Sequence, residues 1–225
     1  MNKSAPTPVA SWLAKNWFLV FALAYGLWVW TPFLAPLFMR LGWEGPANAI
    51  YFIYSFFCHQ LPERSYFLFG TQVSYSLSQI QAAWMDTINP LLLRKFTGTA
   101  EMGWKVAWSD RMIPFYGGVW LSALIWYPLR NRMKGLPPLM LALFLLPMAL
   151  DGGTHFISDL AGIGQGFRDS NLWLANLTNF AFAPGFYNGD ALGSFNSWMR
   201  LMTGLLAGIG LVWFAFPYLE EAFSG

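Results

Sequence analysis

Charge is what this sequence has least of. Only 11% of its 225 residues are Asp, Glu, Lys or Arg, against roughly 25% in an average soluble domain. A surface so poor in ions does not hold a globule of this size in water, which disfavours a soluble enzyme and a disordered chain alike. The formal net charge is only +2, so no basic footprint for a nucleic acid exists and none is expected as a partner. Cysteine is almost absent. Cys58 stands alone, which excludes an intramolecular disulfide and any CxxC centre. Histidine occurs twice, at His59 and His155.

What the chain has instead is apolar bulk: 56% hydrophobic and 19% aromatic residues. Asn16 to Met39 carries no charge and is bounded by Lys15 and Arg40, longer than the ~20 residues a helix needs to cross ~30 Å of hydrocarbon. It lacks the short apolar core and small-residue cleavage site of a signal peptide. Three more runs follow, so spans are expected at about 16–39, 112–129, 136–157 and 201–219. The fold class is an all-α, polytopic transmembrane helix bundle in one integral membrane domain. Pro32 and Pro36 fall late in the first span, where neighbouring groups must satisfy the carbonyls they free. Ile50 to Phe57 is apolar but too short to cross, and reads as a re-entrant or interfacial helix. Ser65 to Met85 is uncharged only at the cost of many Ser and Gln residues, and is not counted as a span.

Orientation follows from Arg130-Asn-Arg-Met-Lys134, three cations in five residues between two spans. Short basic loops stay in the cytoplasm. Both termini, including Lys3 and Lys15, then lie inside a cell membrane, and segments 40–111 and 158–200 lie outside. Trp43, Trp84, Trp104, Trp108, Trp173 and Trp198 read as an outer aromatic belt. Gly204, Gly208 and Gly210 on the last span, with Gly118 and Ser122 on the second, give the small-xxx-small spacing of close helix contact. That face serves packing within the chain or a homodimer.

The unusual polar residues gather on the outer side: Cys58, His59, Gln60 and Arg64; Asp110 and Arg111; Asp151, His155 and Asp159; Asn196 and Arg200. Asp151, His155 and Asp159 are spaced i, i+4, i+8, one face of a helix, although Gly152-Gly153 and Pro147 threaten its continuity. Two readings compete. In one, His59 and His155 meet Asp151 and Cys58 around a divalent metal, a donor set that suits zinc or iron. In the other, Asp151 pairs with Arg111 or Arg200 and the histidines make ordinary hydrogen bonds. Cys58 is either a thiolate activated by His59 or a small buried hydrophobe. Arg64 with Glu63, and Arg168 with Asp169, read as neighbouring ion pairs.

The blocks Cys58-His59-Gln60-Leu-Pro62-Glu-Arg64-Ser65, Gly70-Thr-Gln72, Asp151-Gly152-Gly-Thr154-His155 and Asn196 to Arg200 followed by Thr203-Gly204 resemble a family of bacterial and archaeal membrane proteins classed as a domain of unknown function. The resemblance runs from about Phe52 to the last span. It implies paired cysteines in a C-x-R-C block where this chain reads Ser109-Asp-Arg111-Met112, and a glutamine where His155 stands. About thirty residues from Tyr75 to Trp108 read as an insertion. If the family's cysteines bind metal, this chain lacks two of the thiolates. Three functions stay open. The first is an accessory or scaffold subunit of a membrane assembly, contacting lipid and other subunits. The second is a metal- or cofactor-binding membrane protein. The third, a membrane-embedded enzyme, ranks last because no nucleophile–base pattern is visible.

Overall fold

The computed structural model describes residues 7–224, so Lys3 lies outside the described residues. Four helices are long and apolar enough to cross a membrane: Ser11–Arg40, Met112–Leu129, Pro138–Asp159 and Phe195–Phe223. The first is composite: α1 (Pro8–Trp30) leads through one 3-10 turn, Thr31–Phe33, into α2 (Leu34–Arg40). Proline causes that break, since Pro32 has no N–H for the carbonyl four residues back. The carbonyls around it find side chains instead. Thr31 Oγ1 donates to Leu27 O (2.6 Å), Tyr54 OH to Trp28 O (2.8 Å) and Trp108 Nε1 to Val29 O (3.3 Å).

Those last two donors come from the segment between the first and second spans. There α3 (Glu44–Tyr54) packs back on α2 and is too short to cross. Residues 65–85 hold a strand, β1 (Ser65–Leu68), and a short helix, α4 (Leu77–Ala83), followed by α5 (Pro90–Leu93). β1, β2 (Gly98–Thr99) and β3 (Gly103–Ser109) form a small antiparallel sheet in the order β1-β3-β2, with Ser65 opposite Ser109 and Phe67 opposite Lys105. Gly103, at φ +75°, turns the chain where a Cβ would collide with the Leu68 carbonyl. The apparent insertion is therefore structural core: Val106, Ala107 and Trp108 are fully buried. Trp108 does not belong to the belt. It packs against Trp28, Tyr54 and Tyr116 with ring centroids 4.7–5.5 Å apart.

The remaining spans are α6 (Met112–Leu129), α7 (Pro138–Asp159) and α11 (Phe195–Ser224). α11 packs along both α6 and α7, while α1 rests on α6. The glycines permit the closest crossing. A Cβ at Gly208 would stand 2.8 Å from Phe115 O and Val119 N, one at Gly204 2.9 Å from Arg111 O, and one at Gly118 3.2 Å from Leu205. The small-residue face is thus used inside the chain, with Gly210 against Phe144 of α7. Ser122 lies off this tightest contact, half-buried at the wall of an apolar recess. Four antiparallel spans leave both ends of the described chain and the 130–137 loop on one face. Segments 41–111 and 160–194, the latter with α8 (Phe167–Ser170), α9 (Leu172–Leu177) and α10 (Pro184–Tyr187), lie on the opposite one.

Candidate functional site

Four arginines and four aspartates interlock where α7 and α11 reach that second face. Arg64 donates through Nε to Asp190 (2.7 Å) and through Nη1 and Nη2 to Asp159 (2.6 and 2.7 Å). Arg200 reaches Asp110 through Nε (2.8 Å) and Asp190 through Nη1 (2.6 Å). Arg111 and Arg168 share Asp151, each at 2.7 Å. Asp151, Asp190, Asp110, Arg64 and Arg200 are all less than a tenth exposed, and ions so buried persist only when paired and hydrogen-bonded. Burial alone would push Asp190 up, but Arg64 and Arg200 outweigh it and hold the carboxyl well below its usual range.

The sequence blocks account for this geometry piece by piece. Asn196, Arg200, Thr203 and Gly204 fall at i, i+4, i+7 and i+8, one face of α11, and the first three are buried. Asn196 clamps the 168–189 segment, donating to Arg168 O (2.8 Å) and Gly189 O (3.0 Å). A Cβ at Gly152 would stand 2.6 Å from Arg111 Nη1, so the glycine leaves room for the tip of that flexible side chain. The Gly152-Gly153 pair does not break α7, which runs unbroken through Asp159. Thr154 Oγ1 accepts from Arg168 Nη1 at 3.1 Å.

Several expected pairings are corrected. Arg64 turns from Glu63 to Asp159 and Asp190, and Arg168 turns from Asp169 to Asp151. Asp151 takes Arg111 as expected, but its second partner is Arg168, since Arg200 is drawn to Asp110 and Asp190. In each case a buried guanidinium has reached across the fold, where a sequence neighbour could not face it. Asp190, which joins Arg64 to Arg200, was not singled out from the sequence. No shortfall of acids pointed to it, since Glu63, Asp110, Asp151, Asp159 and Asp169 already outnumber the four arginines.

The proposed metal set is divided. Cys58 lies in the apolar cluster of α2, α3 and β3, where its Sγ accepts from Gln60 N (3.4 Å) and Ser109 N (3.3 Å). Burial pushes its thiol pKa up, the reverse of an activated thiolate. Gln60, in a left-handed turn at φ +54°, donates to Tyr51 O at 2.9 Å. His155 Nε2 is 3.8 Å from Asp151 Oδ1, with Arg168 Nη2 3.2 Å from the same nitrogen. Among the described residues, no group of three or more His, Cys, Asp or Glu is arranged to hold a metal ion.

The two histidines do share a cavity of about 390 Å³. His59, Arg64, Arg111, His155 and Arg200 form its polar wall, and Met112, Phe156, Leu160 and Ile163 its apolar one. His59 Nδ1 accepts from Leu61 N at 3.1 Å, so Nε2 carries the proton. His59 is solvent-exposed, yet the protein atoms crowded around it, then Arg64, Arg111 and Arg200, push its imidazolium pKa down. A guanidinium only donates. His155 Nε2 therefore accepts from Arg168, and its Nδ1 bears a hydrogen with no acceptor. Arg111 donates through Nη2 alone among the described residues, leaving Nε and Nη1 unused.

Fold and site together define a four-span helical membrane protein with a buried ionic network at one face. The chain belongs to a family of predicted membrane proteins of unknown function, DUF2085, whose model matches residues 100–214. It is 25% identical over 215 residues to an uncharacterized protein of Methanocaldococcus jannaschii, MJ1492, covering 92% of this chain and 95% of that protein. No solved structure matches the chain.

Proposed function

We propose that this protein binds an amphiphile with an anionic, phosphate-like head group in the cavity between α6 and α7. The observation that carries this reading is one cavity lined by His59, Arg111 and His155, each with an N–H that has no acceptor among the described residues, and by Met112, Phe156 and Leu160 as its other wall. Of these, His155 Nδ1 is the fully buried one, and a buried donor left unpaired costs roughly 1–3 kcal/mol; an oxyanion would meet all three with charge-assisted bonds. The apolar wall favours an amphiphile over a free ion. Phe156 and Leu160 are 68% and 72% exposed, as lipid-facing residues are. α6 and α7 pack on α11 rather than on each other, which leaves the side of the cavity bounded by Met112 and Phe156 free for a hydrocarbon tail. The basic 130–134 loop supports a cytoplasmic position for the opposite face, and on that reading the cavity lies outside.

The test is thermal melting of detergent-purified protein with dioleoyl phosphatidic acid, dioleoylglycerol or inorganic phosphate. Phosphatidic acid raises the melting temperature, dioleoylglycerol does not, and Arg111→Gln abolishes the rise. Stabilisation by phosphate alone to the same degree would make this a free-anion site. No stabilisation by either in the folded wild type overturns the reading.

A further inference from the structure

Across the Arg64–Asp190 bond lies a second cavity, of about 380 Å³ and opposite character. Glu63, Asp169 and Asp190 line it, together with Ser76, Gln81 and Asn188, and no Lys or Arg does. Its volume falls in the range of small-molecule sites. The acids are not equivalent. Asp190 spends both oxygens on Arg64 and Arg200, and Asp169 spends one on Gly166 N (2.8 Å). Glu63 spends neither: it is 2% exposed, and both carboxylate oxygens lack a hydrogen-bond partner. A buried carboxyl without a donor is a costly arrangement in a protein that satisfies its other buried carboxylates twice over. A donor from outside the chain removes that cost.

We infer that this cavity is a binding site for a small organic ammonium ion, held by Glu63 with Asp169 as the second carboxylate. The acids do not fit a metal. Among the described residues no three of them converge as ligands, whereas an ammonium group needs two or three acceptors at hydrogen-bond distance rather than a closed coordination shell. Ser76, Gln81 and Asn188 supply further polar contacts for a hydroxyl or amide on the same ligand. The site is separate from the anion cavity. They share the side chain of Ile163 but differ in the sign of charge they present.

Ethanolamine, ethylene glycol and calcium chloride, titrated at pH 8 into the full-length protein in detergent and followed by saturation-transfer NMR or calorimetry, decide the matter. Ethanolamine binds the wild type, ethylene glycol does not, and Glu63→Gln weakens ethanolamine roughly tenfold to a hundredfold, the worth of one charge-assisted hydrogen bond. Asp169→Asn weakens it less. This second variant keeps the test sound should Glu63→Gln fail to elute as the wild type does. Absence of ethanolamine binding to folded wild type overturns the inference, as does equal binding of ethylene glycol, or calcium displacing ethanolamine at the same carboxylates. Arg111→Gln retains ethanolamine binding, so failure of the anion reading is separable from failure of this one.

Discussion

Glu63 illustrates how a single side chain sets a pH response. Burial raises its pKa from 4.5 to about 7, and Arg64, the largest opposing influence, does not offset it; Asp190 and Lys105 are the other charges that act on it. The unfolded chain releases this proton first as pH rises, so the native state holds the extra proton between the two values. Its contribution to stability is full below 4.5 and is lost as pH rises through about 7, a change on the order of 3 kcal/mol. The melting temperature of the wild type should therefore fall relative to Glu63→Gln as pH is raised from about 4.5 to about 8. A difference that stays constant with pH would show that Glu63 ionises normally. Ser109 gives a second expectation. It stands where the family resemblance implies a cysteine, and its backbone N–H is 3.3 Å from Cys58 Sγ. Ser109→Cys should close a disulfide with Cys58 on mild oxidation, so that two thiols titratable in denaturant fall to none. Persistence of both after oxidation would place the side chains out of reach. Residue roles were legible where motifs carried them, as with Asp151 and Arg111. They were not for Asp190, whose partners lie 126 and 10 residues away, or for Lys105, an apparent insertion residue that is fully buried and donates to Gln60 O and Arg94 O.

Elements were legible in proportion to their length in membrane-spanning terms. Uninterrupted apolar runs announce α6, α7 and α11, because hydrocarbon allows nothing but a helix there. The extra turns of α11 were hidden by their polar groups: Asn196 and Arg200 of the site before Leu201, and Glu220 and Glu221 at the opposite end beyond Leu219. The sheet was hidden for a different reason. β3 is buried along nearly its whole length, so it shows no alternation of polar and apolar residues. The glycines of α11 make a claim at this scale. Gly208→Ala drives a Cβ into the backbone of α6 and should cost about 1–3 kcal/mol, the usual effect of overpacking. Gly117→Ala, on the opposing helix but with nothing within 4 Å, should be neutral or gain about 1 kcal/mol from helix propensity. Denaturant or thermal melts of the two variants separate packing from propensity. Equal effects would mean that the α6–α11 contact is not the tight one.

For the whole molecule, the distribution of ions couples topology to function. Charged residues sparse enough to demand a bilayer are nonetheless concentrated at its two faces. At one face Arg130 meets Glu220 at 3.1 Å beside the basic loop; at the other, six Arg–Asp partnerships enclose the cavities. If the basic loop is cytoplasmic, both cavities face outward and draw their ligands from the outer leaflet and the medium beyond it. The chain is suited to a direct test, since its one cysteine is only 6% exposed and background labelling is low. Glu101→Cys, in the exposed turn before β3, and Asn131→Cys, in the exposed loop between α6 and α7, report on opposite faces. In intact cells a membrane-impermeant maleimide should label the first and not the second, with Asn131→Cys becoming reactive on lysis. The reverse pattern would turn the molecule over. The anion and ammonium cavities would then sample the inner leaflet and cytoplasm, and the small-loop charge bias would have been outweighed by the cations of the longer segments.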